Sequence, residues 1–264
     1  MNFNIGMLIS MNLEFNIELA KNYRSKTQVA RVLSENWVLK NTYCPKCGNE
    51  RLTEYNNNNP AADFFCNKCT SDFELKSSKS HMDNKIVDGA YEIMIQKILS
   101  MKNPHIFFLN YTLDYSVRNF FCIPKYFFTP EIIEKRKALS NTARRAGWIG
   151  CNILTRNLPQ SGKIFLIKEK KILEQENVVN QWAKTSFLAT TDLKNRGWLI
   201  ELIAIIESLS KIFTLSEVYN YEHLLQSKFP NNRFVKEKIR QQLQVLRDKG
   251  IIEFIGKGIY QKLN

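Results

Sequence analysis

Tyr43-Cys-Pro-Lys-Cys-Gly48, Ala62-Asp-Phe-Phe-Cys-Asn-Lys-Cys69 and Phe73-Glu-Leu-Lys-Ser77 fall within one short span of the chain. Two cysteine pairs, Cys44/Cys47 and Cys66/Cys69, therefore interleave with Asp63, and Glu74 and Lys76 follow at once. Thiolates separated by two residues can grip one ion from a tight turn, and two such turns close a tetrahedral four-sulfur site. Gly48 suits the backbone reversal that such a knuckle needs. With sulfur in all four positions there is no place for water, so the expected ion, Zn²⁺, is structural. Redox-active pairs are the competing reading of the same spacing.

The acids and the lysine ask for a second metal. Glu74 and Lys76 sit two apart on an expected strand and share one face, while Phe73 and Leu75 turn to the other. Asp63 reaches the same face from the neighbouring strand. Two carboxylates can hold Mg²⁺ through oxygen. An amine beside them can orient or deprotonate water and offset charge on a pentavalent phosphate. This is the residue set of PD-(D/E)XK nucleases. Taken alone, Glu-x-Lys on a strand also describes a solvated edge, and Pro60 stands three residues ahead of Asp63 instead of adjoining it. An HNH site needs clustered histidines, and the chain has only His81, His105 and His223. No glycine-rich phosphate loop appears, so no nucleotide cofactor is expected.

The wider composition agrees with a nucleic-acid partner. A formal net charge of +13 favours a polyanion, because each phosphate neutralised releases counterions; a merely solvated basic surface is the alternative. An apolar content of 44% over 264 residues supplies a core, and the length suits one large domain plus a small one. Leu199 to Leu209 is the most apolar helix, and Glu201 and Glu207 interrupt it well short of the ~20 residues that cross a membrane. Met1 to Ile9 lacks the basic start and cleavage site of a signal peptide, so residues 1–10 are read as an extension ahead of Met11. Paired cysteines with Cys122 and Cys151 standing alone fit a reducing cytosol.

Periodicity predicts helices over Glu18 to Lys40 and Ile86 to Leu99, with strands over Ala62 to Phe65, Asp72 to Leu75, His105 to Thr112 and Asn119 to Phe128. Gly147 to Ile153 and Lys163 to Ile167 add two more. The expected fold is a mixed α/β sheet flanked by helices, with the zinc site inserted. Composition turns polar over Lys184 to Asn195, which sets domains of 1–192 and 193–264. The second domain reads as an amphipathic helix over Trp198 to Leu209, a helix over Leu215 to Lys228 capped by Thr214, and a third over Asn232 to Lys249 stopped by Gly250. Strands Ile251 to Phe254 and Ile259 to Lys262 about Gly256-Lys-Gly258 complete a winged helix-turn-helix. On the third helix Val235, Ile239, Gln242, Leu243 and Leu246 share an inner face. Arg233, Lys236, Arg240, Gln241 and Gln244 are the outward candidates for bases or phosphates.

These blocks, together with Thr142-Ala-Arg-Arg-Ala-Gly-Trp-Ile-Gly-Cys-Asn152 and Lys236-Glu-Lys-Ile-Arg-Gln-Gln-Leu-Gln-Val-Leu-Arg-Asp248, resemble the DpnI-like Type IIM methyl-directed restriction endonucleases from about Met11 to the C-terminus. The resemblance implies that Asp63, Glu74 and Lys76 are catalytic with Mg²⁺, and that the four knuckle cysteines hold Zn²⁺. It implies that both domains recognise adenine-methylated GATC in double-stranded DNA and that cleavage between A and T leaves blunt ends. It gives Trp148, which residue type and flanking glycines alone would place in the core, the role of contacting the adenine methyl. Arg144 and Arg145, just before it, are expected on the phosphates. One catalytic set per chain implies a monomer that nicks one strand at a time, in a bacterial cytoplasm. The competing class is a non-enzymatic methyl-DNA-binding regulator built from a zinc ribbon and a winged helix.

Overall fold

The computed structural model describes residues 11–55, 62–79 and 84–263. The extension at 1–10, the asparagine loop at 56–60 and His81 lie outside the described residues. The helices are α1 (Lys26–Asn41), α2 (Tyr91–Leu99), α3 (Gln175–Thr185), α4 (Leu193–Ser208), α5 (Leu215–Tyr219), α6 (Glu222–Lys228) and α7 (Val235–Asp248). The first strands are β1 (Thr53–Glu54), β2 (Phe64–Phe65), β3 (Asp72–Lys79), β4 (Ile86–Ala90), β5 (His105–Tyr111) and β6 (Val117–Ile123). Later come β7 (Ile133–Lys135), β8 (Gly150–Ile153), β9 (Ile164–Lys168), β10 (Lys171–Ile172), β11 (Ile212–Thr214), β12 (Ile252–Gly256) and β13 (Ile259–Lys262).

Two compact units interleave along the chain. The first takes residues 1–82, 103–125 and 163–183, and the second takes 83–102, 126–162 and 184–264. Strands β1-β2-β3-β5-β6-β9-β10 form the sheet of the first unit, in that order. Only β3 and β5 run parallel, so the sheet is mixed as expected. Its core is aromatic: Phe73 stacks on Phe107 at 4.6 Å, Phe107 meets Phe120 at 5.0 Å, and Trp37 of α1 meets Phe120 edge-on at 5.3 Å. Ring pairs of this kind add to the area they bury and fix α1 on the sheet. Ser34 of α1 lies 3.3 Å from Ser77 of β3, hydroxyl to hydroxyl.

In the second unit β4-β8-β7 form a small antiparallel sheet, and β11-β13-β12 form another under helices α4 to α7. Thr214 and Glu217 make a reciprocal capping box that starts α5. Gly250 has φ +66 at the end of α7, where an L side chain would be strained. The buried face of α7 is Val235, Ile239, Gln242, Leu243 and Leu246, as the helical wheel gives. Three helical segments and a two-stranded wing are therefore present, with α5 and α6 together taking the place of the middle helix.

Several expectations are corrected. The helix placed from Glu18 begins at Lys26, after a 3-10 turn at Ile17–Ala20 and an extended Ser25. Residues Ile86–Ala90 are a strand paired with β8, and Gly89 helps delay the helix to Tyr91. The strand drawn to Phe128 stops at Ile123, because Pro124 offers no N–H to the ladder. The helix drawn from Leu215 to Lys228 breaks at Asn220 and Tyr221. Helix α4 starts at Leu193, capped by Asp192, and is buried on all sides from Arg196 to Ile203 instead of on one face. One side packs in the helical bundle, where Trp198 stacks on Phe229 at 4.3 Å. Elsewhere on α4 the Glu207 carboxylate accepts from the backbone N–H groups of Gln160 and Ser161.

His105 opens β5 fully buried between Phe73 and Trp182. Its Nδ1 accepts the Lys125 N–H at 2.9 Å. Burial, reinforced by the charges of Lys125 and Lys46, holds its pKa well below the usual histidine value. The folded chain thus binds fewer protons here than the unfolded chain once pH falls below about 6.5. This stabilising contribution is present above about pH 6.5 and lost below it, at up to about 1.4 kcal/mol per pH unit. Urea unfolding at pH 7.5 and pH 5 is expected to expose that slope, and His105→Gln to flatten it. Parallel slopes for both proteins would contradict this account.

Candidate active site, metal centre and nucleic-acid interface

The metal centre is built by the two knuckles. Cys44 Sγ lies 3.6 Å from Cys69 Sγ, Cys47 Sγ lies 3.6 Å from Cys66 Sγ, and all four sulfurs fall within 4.8 Å of one another. A tetrahedron with metal–sulfur bonds of about 2.3 Å has edges of about 3.8 Å. The sulfurs fit Zn²⁺, and all four are free thiols. Burial pushes the Cys44 thiol up. Against burial, hydrogen bonding with Ser71 lowers the Cys69 thiol to about 7. Gly48 has φ +71, and its carbonyl accepts from Gln175 Nε2 at 2.8 Å. Helix α3 is thereby tied to the first knuckle. The sequence pattern did not announce this helix, because Val178 and Trp182 are its only buried apolar positions in a polar stretch.

The candidate catalytic residues flank the second knuckle in sequence, on β3 and just before β2. Asp63 precedes β2; its N–H donates to the Phe73 carbonyl at 3.0 Å, and its own carbonyl accepts from Tyr55. Its Oδ2 accepts the Leu75 N–H at 2.6 Å, so its carboxylate lies on the segment that carries Glu74 and Lys76. Lys76 Nζ stands 2.5 Å from Glu74 Oε1, with both side chains partly exposed. Phe73 is fully buried and Leu75 partly so, as the strand alternation requires. A further carboxylate belongs to this neighbourhood. Glu35 on α1 has its side chain 20% exposed, and burial raises its pKa, with the Arg31 charge opposing and the charges of Asp63 and Glu54 adding. Sequence reading missed Glu35, since nothing in its helical spacing distinguishes it from a solvated acid.

The other candidates lie in the second unit. Arg144, Arg145 and Trp148 share the loop between β7 and β8, where Trp148 N–H donates to Arg145 O and Leu139 N–H donates to Trp148 O. Gly147 turns this loop at φ +77. Trp148 is partly exposed and sits over Gly150, so it is not a core tryptophan. On and just before α7, Arg233, Lys236, Arg240, Gln241 and Gln244 are all exposed. Three of them already have protein partners. Lys236 pairs with Glu222 at 3.3 Å, Arg240 reaches Glu237 and the Tyr219 hydroxyl, and Gln241 accepts from Lys238. Phe234, beside Arg233, is a large exposed apolar residue at the head of the helix.

A mixed sheet carrying two acids and a lysine beside a four-sulfur centre, joined to a helix-turn-helix, is the layout of a DNA-acting nuclease. The chain matches the Dam-replacing (DpnI) family over residues 11–191 and the Dam-replacing HTH domain over residues 194–262. It belongs to that family. Membership implies a restriction nuclease that depends on methylation, and the C-terminal HTH domain points to DNA as the partner. Among the described residues no helix is long and apolar enough to cross a membrane.

The sulfur geometry predicts one zinc per chain by elemental analysis of the purified protein, falling to a small fraction of that in Cys66→Ser. Structural zinc contributes several kcal/mol, and each kcal/mol lost lowers melting by about 2–4 °C. Stripping the metal is therefore expected to lower the melting temperature by about 10 °C or more. An unchanged melting curve after complete removal would show that the centre holds nothing together.

Proposed function

We propose that the protein hydrolyses the phosphodiester of double-stranded DNA at adenine-methylated GATC, between A and T, with Mg²⁺ as cofactor and blunt ends as product. The observation that carries this reading is the Asp63 carboxylate held on the N–H of Leu75, the residue that separates Glu74 from Lys76 in β3. In the reading, residues 1–192 act as a PD-(D/E)XK endonuclease domain and residues 193–264 as a winged-helix reader.

Asp63 and Glu74 would hold the Mg²⁺, which supplies Lewis-acid polarisation of the phosphate and a more acidic water. Asp63 spends one oxygen on Leu75 and keeps the other for the ion. In the structure Glu74 pairs with Lys76, and its second carboxylate oxygen would be offered to the ion. Lys76, as an ammonium, would orient the attacking water and offset charge on the pentavalent phosphate, while the water's proton leaves to bulk solvent. Arg144 and Arg145 hold phosphates beside the target base.

Methyl dependence follows from a small attraction and a larger penalty. One buried methyl contributes about 0.8 kcal/mol, a factor of about four. Unmethylated adenine would leave an N–H unpaired against an apolar wall, at ~1–3 kcal/mol per site. Trp148 is that wall in our reading, and Arg233, Lys236, Arg240, Gln241 and Gln244 meet the second copy of the site or its phosphates. A monomer with one such site cuts strands in turn. The cellular reading is a bacterial cytoplasmic defence enzyme whose host leaves its own GATC unmethylated.

Supercoiled plasmid carrying adenine-methylated GATC should be nicked, then linearised, in the presence of Mg²⁺, while unmethylated plasmid stays intact. Asp63→Ala should slow cleavage on the order of 1,000-fold or more while binding to methylated duplex is retained. Equal cutting by wild-type and Asp63→Ala, or none by a zinc-loaded wild-type protein, would overturn the reading.

A further inference from the structure

The hairpin joining β7 to β8 carries a second feature besides Trp148. A Cβ placed on Gly150 would stand 2.7 Å from Trp148 Cη2, 2.8 Å from Cζ3 and 3.3 Å from Arg136 Nη1. The edge of the indole and the end of the guanidinium therefore close on one bare stretch of backbone. Any side chain at position 150 would drive one or both away. The backbone holds them there: Arg136 N–H donates to Gly150 O at 3.0 Å, and Leu139 N–H donates to Trp148 O at 2.9 Å. Both side chains are partly exposed. The guanidinium of Arg136 has no carboxylate or carbonyl partner among the described residues. Arg118, Arg240 and Arg247 by contrast are paired with Glu169, Glu237 and Asp248.

An indole and an unpaired guanidinium side by side present two different chemistries to two neighbouring bases. A flat apolar ring receives a methyl group. A guanidinium fork offers two parallel donors, which match O6 and N7 of guanine in the major groove. Adjacent bases of one strand are stacked about 3.4 Å apart, close enough for groups that share a single glycine seat to reach both. We infer that Arg136 reads the guanine immediately 5′ of the methylated adenine, with Gly150 as the positioning residue that lets Arg136 and Trp148 occupy one seat. The assignment rests on the proposed nuclease reading and supplies that reading with a determinant for the base beside the methyl.

The test is single-turnover cleavage, with protein in excess, of a methylated duplex containing guanine or 7-deazaguanine at that position. The modified base lacks the N7 acceptor. Wild-type protein should be slowed about 5-fold or more by the modification, short of the roughly 150-fold upper range of a whole bidentate contact, because O6 remains. Arg136→Ala should be slowed by at least that factor on natural guanine and lose nothing further on 7-deazaguanine. Arg136→Lys, which keeps the charge and can still donate to O6 or N7 without the fork, should fall between wild type and Arg136→Ala, and its unchanged melting temperature would exclude misfolding. Gly150→Ala should slow both substrates. If the two losses multiply in Arg136→Ala, or if Arg136→Ala cuts at the wild-type rate, the guanine contact is refuted while the nuclease reading stands. If the wild-type protein leaves the natural methylated duplex uncut, the nuclease reading fails and this assignment falls with it.

Discussion

The hydrogen bond from the Leu75 N–H to the Asp63 carboxylate, 2.6 Å long, is the contact on which the candidate active site depends. It exists only because Asp63, just before the short strand β2, is held against β3. Phe64 and Phe73 beside Asp63 are buried in the core, but β1 and β2 are two residues each and contribute few ladder hydrogen bonds. Strands that short add little stability of their own at the end of a sheet. The four sulfurs reinforce that burial, drawing both knuckles toward a single point. The structural metal and the proposed catalytic one are therefore coupled by geometry, although no residue serves both.

The same economy appears in the second unit. Helix α4 is buried all round because it belongs both to the helical bundle and to the packing against residues 126–162 of that unit. The loop that carries Trp148 and Arg136 grows out of the small sheet in that unit, so its side chains are placed by hydrogen-bonded backbone on either side. An aromatic ring laid on a glycine is cheap to expose when part of its surface is already covered. It stays ready for an apolar group without being absorbed into the core.

Much of this could be read from residues and spacing. The cysteine pairs, the alternation around Phe73 and the inner face of α7 each obey a strict local period, and each is where the pattern puts it. The failures share a different cause. Ile86–Ala90 has the apolar content of a helix, yet pairing with β8 makes it a strand, and no local signal reports a partner some sixty residues away. Helix α3 hides in polar sequence because it needs only Val178 and Trp182 to dock. Glu35 and Arg136 were missed for the same reason. Their surroundings are made by segments distant in the chain, and a single charged residue on a helix or loop carries no period to betray it.

The central claim is that the sulfur clamp brings Asp63, Glu74 and Lys76 around one hard cation. Crystals soaked in Mn²⁺ as a stand-in for Mg²⁺, with anomalous data collected at the manganese edge, test it directly. The account predicts a peak in contact with carboxylate oxygens of both Asp63 and Glu74, with Lys76 beside the ion's water. A peak elsewhere on the first unit would contradict it.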